Sequence, residues 1–521
     1  MTLIDTPSTR LTTRPRWRFI PSRRVILAAV SACVAVWLGV LLFNWPFAHT
    51  AVTAALAEES GKVVQIGAFR ATFSPLGYSA DDIRFYGHNS SNHTPELTIR
   101  RLVVVAHPLD LLLLRKRIDR VLITGLRATI QGHGTEDRKP TPPRFSEIGE
   151  VRFEDAVIKF PTFESDPDPF TLTFHDIMFR DMSQSHSGSF AANFSSNEPQ
   201  GAIHVSGRTG PWAWKDIGRT PITGSFAIVR SNLGSFGGVE GTLKADGRFT
   251  GPLSDVLCNG NADVPDFRVS KSSHSVDVST SFRLSVNGLT GDTTIDSARS
   301  QFNRTVIESQ GVIRKDVQRP GKSARLRLSV EEGQIGDLLL LFTRAPQPSM
   351  AGTVDARMNV EIPPGPPGFL KKLVFTADFG IDRGRFTKLQ TQTPINHLSE
   401  SAAGMSKHAR EESRQAVLSD VSGHISAEDG VATLSPISFA LPGAHGVISG
   451  TYDLLSQSVK LEGRLLTTGE LSSTTSGLKA VALKMLSPFL TKHSVKVVPF
   501  TITGTAQHPR FALALLNKHG V

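Results

Sequence analysis

The sequence predicts a mainly β protein on three observations. Short runs alternate apolar and polar residues, turn glycines return at near-regular intervals, and one long uncharged run is confined to the start of the chain. The expected architecture is an N-terminal transmembrane helix followed by long, curled, largely antiparallel sheets. Those sheets are expected to form an open groove, with a few short helices.

The uncharged run is Val25 to Phe43, nineteen residues. At about 1.5 Å per residue it spans roughly 28 Å, the thickness of a bilayer's hydrocarbon core. Asn44-Trp45-Pro46-Phe47 then supplies aromatic residues for the interface. Arg10, Arg14, Arg16, Arg18, Arg23 and Arg24 precede the run, whereas no Lys or Arg follows it until Lys62. The positive-inside rule places the N-terminus in the cytoplasm and the body across the membrane. A cleaved signal peptide is the rival, because Ala55-Leu56-Ala57 has the small-x-small form of a cleavage site. The length of the run and the early Pro46 favour an uncleaved anchor.

Residues 63–73 open the β pattern, Pro75-Leu76-Gly77 turns it, and residues 78–85 resume it. Leu97 to Ala106 is the next strand. Leu111 to Leu114 and Arg115-Lys116-Arg117 make a short helical or turn-like connection to the strand beginning at Ile118. Gln131 to Arg144 is a polar hinge containing prolines. Beyond it, Gly207, Gly224, Gly241, Gly260, Gly288 and Gly311 lie 17 to 28 residues apart, the spacing of paired strands returning at similar width. Ile335, Leu338, Leu339 and Phe342 have helical spacing. Leu478, Val481, Met485 and Phe489 mark a second helix, limited by Pro488, that suits the role of an edge cap.

Composition narrows the function. Lys and Arg exceed Asp and Glu by 10, and half of that excess lies in the first 24 residues. No basic tract interleaved with aromatics is present, so nucleic acid is not an expected partner. Cys33 lies in the apolar run and Cys258 stands alone in the body, so disulfides do not staple the fold. His-Glu-x-x-His and Gly-x-Ser-x-Gly are absent. Gly321-Lys322-Ser323 resembles the end of a P-loop, but Asp316 stands where the earlier glycine belongs. His88 and His93 form a polar-loop pair that no Cys or carboxylate completes as a metal set. The expectation is a non-enzyme with no catalytic residue, metal or cofactor.

A resemblance then enters. Val64-Gln65-Ile66-Gly67-Ala68-Phe69-Arg70, Asp81-Asp82-Ile83-Arg84 and Leu97 to Leu102 are followed by Gly333 to Leu339, Met350-Ala351-Gly352 and Ile362-Pro363-Pro364-Gly365. Leu434 to Phe439, Leu441-Pro442-Gly443-Ala444, Gly450-Thr451-Tyr452, Leu471 to Lys479, Pro499 to Thr505 and Pro509-Arg510-Phe511 complete the series. In this order, over most of the chain, the phrases resemble the AsmA-like family of membrane-anchored proteins of Gram-negative bacteria. The resemblance implies a basic leader (1–24), an anchor (25–47), an N-terminal β segment (48–144), a central groove region (145–330) and a C-terminal β region with capping helices (331–521). It also implies a single-pass inner-membrane protein with its N-terminus cytoplasmic and its body periplasmic, and a bridge-type role in lipid transport and outer-membrane homeostasis.

The expected function is therefore binding of phospholipids and their transfer or regulation between envelope membranes. The alternative is an assembly factor for outer-membrane proteins that acts through exposed β edges. Phospholipids and envelope membrane proteins are the expected partners. Phe226, Ile228, Leu243, Ala245 and Phe249 are candidate lining positions, because they repeat on one strand face. Period-two patterning fits a closed sandwich as well as an open groove, and both stand at this point.

Overall fold

The computed structural model describes residues 47–87, 95–112, 117–129, 147–160, 169–197, 199–236, 238–270, 272–316, 321–344, 346–364, 368–387, 419–441, 444–467, 496–505 and 509–513. The chain divides into two compact units, Met1–Ser60 and Gly61–Val521. In the first, the described element is helix α1 (His49–Ser60). Its Thr53 and Ser60 hydroxyls donate to carbonyls one turn back, at His49 and Leu56.

The second unit is a β meander. Strands β1 (Val63–Phe73), β2 (Leu76–Tyr86), β3 (Leu97–Val105) and β4 (Arg117–Thr129) pair in sequence order, all antiparallel. Helix α2 (Pro108–Leu112) joins β3 to β4. The next strand, β5 (Glu147–Phe160), lies parallel to β4. A parallel neighbour needs a crossover connection rather than a hairpin.

Antiparallel order then resumes with β6 (Phe170–Ser183), β7 (Gly188–Asn197), β8 (Gln200–Thr209) and β9 (Pro221–Asn232). Strand β10 (Val239–Glu240) is a two-residue fragment that pairs with β12 (Val256–Val269). The adjoining β11 (Thr242–Pro252) pairs with both β9 and β12. The ladder continues through β13 (Val276–Val286), β14 (Thr293–Phe302), β15 (Thr305–Lys315), β16 (Lys322–Gln334), β17 (Met350–Ile362) and β18 (Val374–Phe386). It ends with β19 (Ser419–Glu428), β20 (Val431–Leu441), β21 (Ala444–Asp453), β22 (Ser458–Thr467), β23 (Lys496–Thr505) and β24 (Pro509–Leu513). Strand β4 pairs with β5, and β15 pairs with β16 as far as Val330.

Two short helices interrupt the later hairpins. Helix α3 (Ile335–Leu340) follows β16, close to the span that its apolar spacing predicts, and α4 (Phe369–Lys372) follows β17. Ile335 and Leu338 of α3 pack on a buried cluster of Val330, Val354, Ile381, Val421, Ile437 and Leu465. The Asp337 carboxylate anchors α3 by accepting from the Arg304 amide at 3.2 Å and the fully buried Thr305 hydroxyl at 2.9 Å. A second cluster joins Val269, Val276 and Phe302 to Leu341 and Leu370. Around it, the Ser272 hydroxyl bonds the carbonyls of Leu340 and Thr343 at 2.9 and 3.0 Å, and Gln457 Nε2 donates to the Phe342 carbonyl at 3.1 Å.

The structure corrects the expected fold class. All twenty-four described strands belong to one sheet, and that sheet is open rather than curled into a groove. Among the described residues β1 pairs only with β2, and β24 only with β23. Alternation along a strand records which face is apolar. Curvature depends on twist and bulges, which the alternating pattern does not encode. The expected anchor is corrected too: among the described residues no helix is long and apolar enough to cross a membrane, and Val25 to Phe43 lie outside them. The single-pass inner-membrane placement, the membrane-related descriptions and the phospholipid-transfer function rested on that anchor and groove, and the assembly-factor alternative on the exposed edges of an anchored body. None is carried forward. Gln131 to Arg144, the pair His88 and His93, and the capping-helix residues Leu478, Val481, Met485 and Phe489 also lie outside the described residues.

Candidate functional site: an aromatic-floored apolar face

The two faces of the central strands differ in chemistry. Along β8, Gln200, Ala202, His204, Ser206 and Arg208 are exposed, while Gly201, Ile203, Val205 and Gly207 between them are half-buried. The candidate residues fall on the apolar side. Ile228 lies opposite Ala245 in the ladder, Phe226 opposite Gly247 and Phe249 opposite Gly224, so these side chains share one face. Leu243 follows the same alternation but lies beyond a bulge, with Ser231 as its partner. Ala245 and Phe249 are buried, whereas Phe226, Ile228 and Leu243 are half-buried. Lys244 is exposed on the opposite face.

Glycine gives this face its texture. One row across the sheet reads Phe190, Gly207, Gly224, Phe249. Another reads Phe226, Gly247, Gly260, Phe282. In both, the two rings lean inward over the paired glycines, with centroids 6.2 and 6.4 Å apart. A Cβ at Gly224 would stand 2.7 Å from the Phe249 ring, one at Gly247 2.7 Å from the Phe226 ring, and one at Gly260 2.8 Å from the Phe282 ring. The rings thus lie over neighbouring backbone where no side chain stands in the way, the arrangement known to protect strand glycines.

The first row extends beyond Phe190. Its ring stacks with Phe179 at 6.0 Å, Phe179 meets Trp212 edge-on at 5.8 Å, and Trp212 stacks on Trp214 at 5.4 Å. The loop bearing both tryptophans is fixed by backbone bonds. The Trp212 amide donates to the Ser183 carbonyl at 2.8 Å, and the Ala213 amide donates to the hydroxyl of fully buried Thr220 at 3.1 Å. Among the described residues, neither buried indole N–H group has an acceptor. A buried donor left so is costly by about 1–3 kcal/mol.

Cys258, directly opposite Phe249, lies on the same face, and burial pushes its thiol above the ordinary value. Lys322, from the P-loop-like tripeptide, opens β16. Its ammonium donates to the Thr290 carbonyl at 2.7 Å and lies 3.6 Å from Asp292. Burial lowers its pKa, and Asp292 opposes that shift. Asp81 pairs with Arg101 and Asp82 with Arg84 on the strand surface.

Alternation in the sequence singled out Phe226, Ile228, Leu243, Ala245 and Phe249, of which Ile228 and Ala245 are ladder partners and Leu243 lies past the bulge. It missed Phe179, Phe190, Trp212, Trp214 and Phe282, whose approach depends on register across several strands. The glycine spacing was the available signal, because Gly207 and Gly224 are partners and so are Gly247 and Gly260. No family model and no curated protein sequence matches this chain.

Proposed function

We propose that the chain is a non-catalytic binding scaffold whose apolar sheet face is the working surface, holding an apolar ligand against the aromatic floor around Phe226 and Phe249. The observation that carries this reading is the pair of phenylalanine–glycine rows. They place half-buried aromatic carbon on an open sheet. Apolar area of this kind gains roughly 25 cal/mol for each Å² removed from water. Trp212 and Trp214 extend the aromatic surface beyond Phe179. The AsmA-like resemblance stands as part of the same proposal for the type of scaffold, supported by the ordered phrases from Val64 to Phe511.

The experiment is a titration of the full chain, free of detergent, with an apolar fluorophore whose emission rises in non-aqueous surroundings. Saturable binding is expected, weakened by Phe226→Ser and unchanged by Lys244→Ser, with circular dichroism verifying each fold. Absence of saturable binding, or equal loss in both variants, would overturn the proposal.

A further inference from the structure

A second surface lies where β9 to β12 lose their common ladder, and it is polar. Gly241, at φ 142°, separates β10 from β11, and a Cβ there would stand 2.6 Å from a Val264 methyl. Up to Thr242, β11 pairs with β9; beyond the break, among the described residues β10 pairs only with β12. The chain between β9 and β10 turns away as a 3-10 turn, Leu233–Phe236. The strands therefore splay and leave a cleft of roughly 740 Å³, lined by Arg230, Asn232, Glu240, Thr242, Asp266 and Arg268 among others.

A bulge aims the key side chain. Ala202 pairs with Arg230 while the next residue, Ile203, pairs with Ile228, so Val229 is the extra residue. Past it the alternation shifts: Val229 and Arg230 are both exposed, Ser231 turns inward, and Asn232 is exposed again. Bulges commonly re-aim a side chain in this way beside binding sites.

The charges in the cleft are unequally committed. Asp266 accepts from the Thr242 amide at 2.7 Å and from its hydroxyl at 3.2 Å. Glu240 accepts from Arg268, with Nε at 3.1 Å. Arg230 has no ion pair among the described residues. Both carboxylates accept hydrogen bonds from within the protein, Glu240 from Arg268 and Asp266 from Thr242, and the guanidinium left without a carboxylate among the described residues is Arg230, with Asn232 beside it in the lining. A guanidinium in this setting matches a planar or tetrahedral oxyanion through paired N–H donors.

We propose that this cleft is an oxyanion-binding site for a small molecule bearing a carboxylate or phosphate group, with Arg230 as its principal contact. The site is independent of the apolar face and stands or falls separately from it.

Isothermal titration of the full chain with citrate and with inorganic phosphate tests the proposal and separates the two sources. Saturable binding of either is expected, and the tighter one identifies the group. Arg230→Gln should weaken it about tenfold or more, the scale of one charge-assisted hydrogen bond. Arg248→Gln removes the same charge from the exposed face of β11 and should leave affinity within about twofold. Glu240→Gln frees Arg268 and should tighten binding. Failure of both anions to bind, equal loss in the two arginine variants, or weaker binding by Glu240→Gln would overturn the assignment.

Discussion

Phe190 and Phe249 belong to strands separated by two others, yet their ring centroids lie 6.2 Å apart. Three strand spacings of about 4.8 Å would set their backbones about 14 Å apart. The rings close that distance because Gly207 and Gly224, the residues between them, carry no side chains. The contact follows from register and glycine placement together.

Substitution of those glycines should therefore be selective. At Gly224 a methyl group would meet the Ser206 carbonyl as well as the Phe249 ring. Backbone has little freedom to move, so Gly224→Ala should lower stability by about 1–3 kcal/mol in urea unfolding. Gly380, in β18, has only the Val421 carbonyl within reach, at 3.8 Å. Gly380→Ala should be neutral, or stabilising by up to about 1 kcal/mol, because alanine restricts the unfolded chain.

The two faces should respond oppositely to charge. Ala245 is 8 % exposed and lies opposite Ile228. Ala245→Asp would bury a carboxylate without a partner and should destabilise by at least about 2 kcal/mol. Lys244→Asp, one residue away on the exposed face, should change stability by no more than about 0.5 kcal/mol. Thermal unfolding of both variants makes the comparison.

The turn after β21 should show acid sensitivity. Asp453 accepts from the amides of Ser456 at 2.7 Å and Leu455 at 2.9 Å. The Ser456 amide is the main cause that holds its pKa below the usual carboxylate range. A depressed pKa contributes stability above the unfolded value of about 3.9 and loses it as pH falls through the folded value. The melting temperature of Asp453→Asn should therefore lie below that of the natural chain at neutral pH, with the gap closing in acid. Because the carboxylate is largely solvated, the gap should be small.

How much of this was legible in the sequence depends on the range of the interaction. β1 and α3 were readable from alternation and helical spacing, because both signals are local. The parallel β4–β5 pair was not, since strand direction depends on where the connection between them runs. The curled groove failed for a related reason: Ile203 and Phe226 read the same in any sheet with one apolar face. Arg230 was invisible as a site residue, because the bulge at Val229 shows only when β8 and β9 are set in register.

Gln457 reports on the joining of distant turns. It is 6 % exposed and donates to the Phe342 carbonyl at 3.1 Å, linking the turn after β21 to the end of α3. Gln457→Ala should destabilise by about 1–2 kcal/mol, since the change removes a buried side chain and its hydrogen bond to the Phe342 carbonyl. Hydrogen exchange should quicken at residues 454–457 and 340–344 before other parts of the sheet respond.

Cys258 gives the most direct measurement of where the proposed ligand lies. It faces the same side as Phe249, directly opposite it in the ladder, and burial raises its thiol pKa. Alkylation should therefore be slower than for a free thiol at neutral pH, because less of the thiolate is present. Peptide mass analysis separates its modification from that of Cys33. With the fluorophore bound to saturation, the rate at Cys258 should fall further, by about tenfold, the change that covering the thiol in about nine molecules of ten would produce. An unchanged rate at Cys258 while the fluorophore is demonstrably bound would place the ligand elsewhere and contradict the assignment of this face as the working surface.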